Sequence, residues 1–275
     1  MLKKVSAAAV LVALAIFCSR AWGEEQGLKL DDSPLLLQDH TEATVVESEP
    51  SDWHFRVGFN LMAGAITGTA GHQKTEIDVD AGLDEVFDNG TIGLEFQFEA
   101  GTGPWSIIFD AMWMHLGDDA KTSSGSLDAD FDGDFGFIDI AGGYEFKRLK
   151  VRGKTVALDA LLGFRWTDLK TSIQVKEGAT PRPNQDTSKD FVDPYVGIRA
   201  RAYLSDKFTL IGSGTVGGLG VGSDLLATGE LALEYRLNET WWLVAGYRAY
   251  YYDYDDDFQW KVTMHGPFIG IAARF

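Results

Sequence analysis

Residues 238–275 read NETWWLVAGYRAYYYDYDDDFQWKVTMHGPFIGIAARF. Two runs of alternating residues flank an aspartate-rich tip. In the first, Trp241, Leu243, Ala245, Tyr247, Ala249 and Tyr251 share one side, and Trp242, Val244, Gly246, Arg248, Tyr250 and Tyr252 the other. In the second, His265, Pro267, Ile269, Ile271, Ala273 and Phe275 oppose Met264, Gly266, Phe268, Gly270, Ala272 and Arg274. A period of two is the period of a β-strand. Each run outlasts the five or six residues of an ordinary soluble strand and nears the roughly 9–11 a tilted strand needs to cross a bilayer. Aromatics gather at the ends of the runs, where a membrane would meet water. The stretch predicts a hairpin in the wall of a transmembrane barrel.

The same alternation recurs upstream, about ten times from Trp53 onward. Phe55, Val57, Phe59 and Leu61 oppose Arg56 and Asn60. Ile92, Leu94, Phe96 and Phe98 oppose Glu95, Gln97 and Glu99, while Trp105, Ile107, Phe109 and Trp113 oppose Asp110. Ile138, Ile140 and Tyr144 oppose Asp139 and Glu145; Leu158, Leu162, Phe164 and Trp166 oppose Asp159 and Arg165. Val196, Ile198 and Leu204 oppose Asp193, Arg199 and Arg201, and Leu231, Leu233 and Tyr235 oppose Glu230, Glu234 and Arg236. Phe208 to Gly217 is glycine-rich and alternates most weakly. The charged face is too regular, and too often matched in sign, for simple solvent exposure. In a membrane barrel the apolar face meets lipid and the polar face lines the lumen.

Connections alternate in length. Residues 101–104, 147–154, 205–207 and 238–239 are short; 66–90, 116–134 and 167–190 are long and polar; 218–225 and 253–260 are intermediate. Short periplasmic turns and long outer loops are the barrel habit. The fold expected is therefore all-β: a closed antiparallel barrel over residues 53–275, with about ten strands, or eight if the glycine-rich run and its neighbour are misread.

The chain opens with Lys3 and Lys4, an apolar run from Ala7 to Phe17, and small residues at Ala21 and Gly23. That pattern predicts a cleavable signal peptide over residues 1–23, its apolar run too short for a spanning helix. The single cysteine, Cys18, leaves with it. Residues 24–52 are acidic and interrupted by Pro34 and Pro50, and read as a flexible periplasmic lead-in. With 41 acidic against 24 basic residues, and three of the basic ones in the signal, the remaining chain carries a net charge of about −20. This excludes nucleic acid as a partner. With no mature segment apolar enough for a helix, a closed barrel is the spanning structure left.

The chain resembles the small outer-membrane β-barrel proteins of Gram-negative bacteria, the broad group containing the OmpA-type transmembrane domain. Residues 77–116, IDVDAGLDEVFDNGTIGLEFQFEAGTGPWSIIFDAMWMHL, are similar to a subgroup with an Asp-Val, Phe-Asp-Asn, then paired-strand pattern. The terminal Phe275, preceded by alternating apolar residues, is similar to the signal read by the barrel assembly machinery. The resemblance implies export to the outer membrane, contact with its lipid and lipopolysaccharide, and a monomer. It implies nothing specific about activity.

The inward set is Arg56, Glu95, Glu99, Asp110, Asp139, Glu145, Asp159, Arg165, Asp193, Arg199, Arg201, Glu230, Glu234, Arg236 and Arg248. In a narrow barrel side chains fill most of the interior, so the set is expected to be an ion-pair network plugging the tube. The alternative is a narrow ion or solute path. Asp128-x-Asp130-x-Asp132-Gly133 matches the first half of a calcium loop, with Asp139 where the closing carboxylate would stand. Its flanks are strand-like, so a solvated surface is expected before a loop-bound divalent cation, and no other cofactor. Leu83, Val86 and Phe87, with Asp80 as cap, have the spacing of a short amphipathic helix. Enzymatic candidates are His115 with Asp118 or Asp119, and His265 with Asp257; neither carries a nucleophile and base in a recognisable arrangement. The functional expectation is a non-enzymatic barrel with a structural or surface-interaction role.

Overall fold

The computed structural model describes residues 44–45, 53–72, 75–81, 92–122, 128–177, 180–181, 185–256 and 258–275. The expected signal segment 1–23, the expected helix at Leu83, Val86 and Phe87, and the expected lead-in 24–52 apart from Thr44 and Val45 lie outside the described residues. In chain order the strands are β1 (Thr44–Val45), β2 (His54–Ala63), β3 (Ala65–His72), β4 (Thr75–Ala81), β5 (Ile92–Thr102), β6 (Trp105–Thr122) and β7 (Asp128–Val151). They continue with β8 (Lys154–Glu177), β9 (Thr180–Pro181), β10 (Gln185–Tyr203), β11 (Phe208–Gly218), β12 (Leu225–Arg236), β13 (Trp241–Asp255) and β14 (Phe258–Arg274).

Pairing follows chain order and closes. β2, β5, β6, β7, β8, β10, β11, β12, β13 and β14 are each antiparallel to the next, and β14 returns to β2 through the register Ile271↔Phe59. The barrel thus has ten strands, not eight. The glycine-rich β11 is a full member, laddered along its length to β10 and β12. Closure leaves no unpaired edge within the wall, the condition for a sheet to cross lipid. Phe55 and Phe275 exchange backbone hydrogen bonds of 3.0 and 2.9 Å, sewing the first strand to the last residue.

The turns at Gly103, Arg152–Gly153, residues 204–207 and residues 237–240 are tight, as expected. The long connections differ from expectation. Much of 66–90, 116–134 and 167–190 is not loop but wall: β6, β7, β8 and β10 run on as ladders, and β3 and β4 form a hairpin docked on β14 and β6. β7 and β8 have 24 residues each, about 80 Å of strand at roughly 3.3–3.4 Å per residue, far beyond a bilayer. Polar composition hid this, because a strand that stands in water on its outer side needs no apolar face there. At the opposite end Thr44 and Val45 pair with Lys150 and Leu149 of β7, below the last residue of β6 on that edge.

The outward face carries a continuous apolar belt. Leu162, Phe164 and Ile198 are 59–67% exposed, an arrangement that only a lipid solvent makes favourable. Trp53, Trp105, Phe146, Trp241 and Phe275 ring the short-turn end, and Trp113, Trp166, Tyr247 and Tyr251 the other. The inward face differs from a uniformly charged lumen. Its upper half is an apolar plug: Met112, Met114, Phe135, Phe137, Leu169, Tyr250, Tyr252, Trp260 and Met264 are all buried in one cluster. Phe135 meets Tyr252, and Phe137 meets Tyr250, each with ring centroids 5.4 Å apart. Among the described residues the inward charge, Asp193 apart, gathers in the half nearer the short turns. A Cβ on Gly163 would come within 2.7 Å of the ring of its ladder partner Tyr195, so only glycine leaves room for that ring to lie over β8.

Candidate functional site

Beneath the plug is a cavity of about 460 Å³ that opens between the short turns. It is built by positions on all ten wall strands, and strand position sets the depth of each group. Nearest the mouth, Arg56 and Arg274 both pair with Glu234, Arg56 at 3.1 Å. Arg274 also lies 4.2 Å from the Trp242 ring. Arg148 makes a two-pronged contact with Glu145 at 2.6 and 2.7 Å. Arg201 bridges Glu145 at 3.2 Å and Asp159 at 2.8 Å. Arg199 grips Glu99 with both terminal nitrogens, at 2.9 and 2.8 Å, and reaches Asp159 with Nε at 2.7 Å. The outer layer thus has five guanidinium groups against four carboxylates.

The inner layer differs. Arg165 donates to both oxygens of Asp139 at 2.7 and 2.6 Å, and to the Tyr252 hydroxyl at 3.2 Å. Arg248 contacts Glu95 and Glu230, stands 3.8 Å from Asp110, and donates to the Tyr250 hydroxyl at 2.9 Å. Asn60 donates to Glu95 at 2.6 Å and Gln97 to Asp110 at 3.4 Å. Asp110 sits directly across the β6–β7 ladder from Asp139. The most exposed groups differ in sign between the layers. At the mouth the guanidinium groups are forward: Arg148 and Arg274 are about one-third exposed, their partners Glu145 and Glu234 buried. At the inner end Asp110 and Glu230 are partly open, at 17% and 19%, and Arg165 and Arg248 are recessed.

Thirteen of the fifteen lumen residues expected from sequence fall into this network. Asp193 and Arg236 do not. Asp193 is fully buried further up, where it accepts from the Ser223 backbone at 2.6 Å and hydroxyl at 2.8 Å and so anchors the β11–β12 loop. Arg236 lies at the rim, donating to the Asn238 carbonyl at 3.1 Å and facing Trp242. Arg148 and Arg274 were missed. A bulge between Glu145 and Lys147 shifts the period by one residue, which brings Arg148 onto the inward face behind Glu145. Arg274 was legible in the alternation, since it falls one step from the outward Phe275.

Asp128, Asp130 and Asp132 lie along β7, paired with β6 and β8, so their backbone is extended where a calcium loop would have to turn; Asp139 is held by Arg165. The side chains of Asp118, Asp119, Asp128 and Asp130, and the whole of Asp257, lie outside the described residues. His115 faces Asp134 at 3.1 Å and Asp132 at 3.6 Å. His265 sits on the lipid side, its Nδ1 2.6 Å from the Tyr247 hydroxyl. Above the lipid belt, the Lys261 ammonium is raised from its ordinary value by its hydrogen bond to Asp253.

A closed barrel of ten strands, apolar outside and charged or plugged within, defines a transmembrane β-barrel protein. No family model matches the chain, and no curated protein does. Among solved structures it is similar to Neisserial surface protein A, at 13% identity over 80% of this chain and 97% of that one, with a TM-score of 0.36. It is similar to Ail, the attachment invasion locus protein of Yersinia pestis, at 13% identity over 82% and 100%, TM-score 0.36. It is also similar to the outer membrane protease OmpT from Escherichia coli, at 9% identity over 84% and 99%, TM-score 0.46. Likenesses of this size carry no activity to this chain.

Proposed function

We propose that the protein is a non-enzymatic barrel of the bacterial outer membrane, closed to conduction, with a structural or surface-interaction role. The observation that carries this is the plug: the inward faces of β6, β7, β8, β13 and β14 meet across the lumen in buried aromatic and methionine side chains. A hydrated ion would have to break those contacts and shed its water among them. The ladders that stand beyond the lipid belt support surface contact, since they extend a stiff, acidic wall outward. In this reading the belt is solvated by lipid and lipopolysaccharide, the short turns face the periplasm, and Phe275 marks the chain for the assembly machinery.

The test is single-channel recording of the purified barrel in a planar bilayer. Silence at voltages that leave the protein inserted is the expected result. Stepwise conductance from the unmodified chain would overturn the closed-barrel reading in favour of a narrow channel.

A further inference from the structure

The cavity is electrically divided along its length. Its inner end holds Arg165 and Arg248 against Glu95, Asp110, Asp139 and Glu230, two cations to four carboxylates among the described residues. Arg165 is used up by its two-pronged bond to Asp139. Arg248 is therefore shared by the other three. The shortfall is visible in the bonding: among the described residues Asp110 Oδ1 has no hydrogen-bond partner, and its other oxygen has a long hydrogen bond from Gln97 and the Arg248 guanidinium at 3.8 Å. The mouth has the opposite imbalance, with guanidinium groups turned toward the opening and their carboxylates recessed.

Excess negative charge walled in by protein is costly unless a cation or a proton joins it. The cavity is large enough for several non-hydrogen atoms, and among the described residues it opens on the short-turn side, while the plug closes the other. An ordered reversal of sign over one cavity fits a molecule with the reverse order: a positive group leading, a negative one trailing. A bare anion would be met by the inner carboxylates, and a bare cation would have to pass the arginine mouth.

We infer that the cavity binds a small zwitterion from the periplasm, of the size of an amino acid or dipeptide, with its ammonium on Asp110 and Glu230 and its carboxylate among the arginines of the mouth. This goes beyond the closed-barrel reading: a silent bilayer recording leaves the binding site open to test, and a conducting one leaves it equally so.

Titration calorimetry on the whole barrel in detergent tests it, with Ala-Ala as probe beside N-acetyl-Ala-Ala, which lacks the ammonium, and Ala-Ala amide, which lacks the carboxylate. Saturable binding of Ala-Ala is expected, with the acetylated form at least tenfold weaker and the amide intermediate. Asp110→Asn with Glu230→Gln is expected to cost at least tenfold for Ala-Ala. Retained heat-modifiable gel migration of that variant confirms that it is folded, and Asp110→Asn alone serves if it is not. No binding of Ala-Ala by the unmodified barrel, equal binding of the acetylated form, or unaltered binding by the folded variant would each overturn the proposal. Binding of sodium ion alone, with no effect of Ala-Ala, would overturn it in favour of an inorganic cation site.

Discussion

Arg165 and Asp139 face each other across the β7–β8 ladder, joined by hydrogen bonds of 2.7 and 2.6 Å, with the guanidinium 4.1 Å from the Phe137 ring centroid. The pair marks the level at which the charged half of the lumen ends and the aromatic plug begins. Arg165 belongs to both: its Nη1 donates to Tyr252, the plug residue above it.

Arg165→Ala is therefore expected to do more than delete one contact. It leaves a 6%-exposed aspartate without its cation, a loss of about 3–5 kcal/mol for a broken buried pair. Asp139→Asn with Arg165→Met should recover most of this, because no charge is then stranded. Urea unfolding midpoints in detergent check both. A single variant as stable as the parent would mean that Asp139 finds another partner.

The plug can be opened in the same terms. Tyr250→Ala and Tyr252→Ala each remove a fully buried ring, at about 3–5 kcal/mol. They also strip the hydroxyls that accept from Arg248 and Arg165. The double variant, once folded, is expected to show small unitary currents where the parent is silent. Continued silence would place the seal elsewhere, among Phe258, Trp260 and Val262.

The barrel wall was legible in the sequence because lipid enforces the alternation: Phe59, Leu94, Ile140 and Phe164 have no other tolerable solvent. The outer ladders were not, because water accepts Asp132 or Lys170 on a strand as readily as on a loop. The plug was hidden for a related reason. Where both faces of a strand are apolar, as at Phe135 and Phe137 beside Ile138, period two gives no sign of which residue points in. The charged half was nearly complete, since an inward Arg or Glu stands out against an outward Leu. The bulge at Glu145 broke the count and hid Arg148, whereas Arg274 lay on the inward period without being counted. That Asp193 belongs to a loop anchor required knowing that Ser223 lies beside it.

That anchor supports its own prediction. The β11–β12 loop holds Leu219 at φ 55° between Gly218 and Gly220 at φ 81° and 79°, a left-handed run disfavoured for leucine. The two Asp193 bonds to Ser223 hold the loop in it. Asp193→Ala is expected to cost about 1–3 kcal/mol through the unmet Ser223 groups. A spin label at an exposed Leu219→Cys should pass from ordered to mobile in that background. An unchanged spectrum would show that the glycines alone fix the loop.

At the outer end, Lys261 and Asp253 make an ion pair across the β13–β14 ladder. The Asp253 hydrogen bond raises the lysine above its ordinary value. A raised folded-state value for a cation means that its stabilisation is complete below the unfolded lysine value, about 10.4, and is lost as pH rises through the folded one. The side chain is half exposed, so the contribution is small, about 0.2–1 kcal/mol, and is screened by salt. Lys261→Met should accordingly lower the urea midpoint by a constant increment from neutral pH to about 10, and the increment should vanish above the folded value as the parent loses the same charge. An increment that grew with alkalinity would be the wrong sign for this pair, and would assign the effect of the substitution to the apolar contacts of the lysine stem instead.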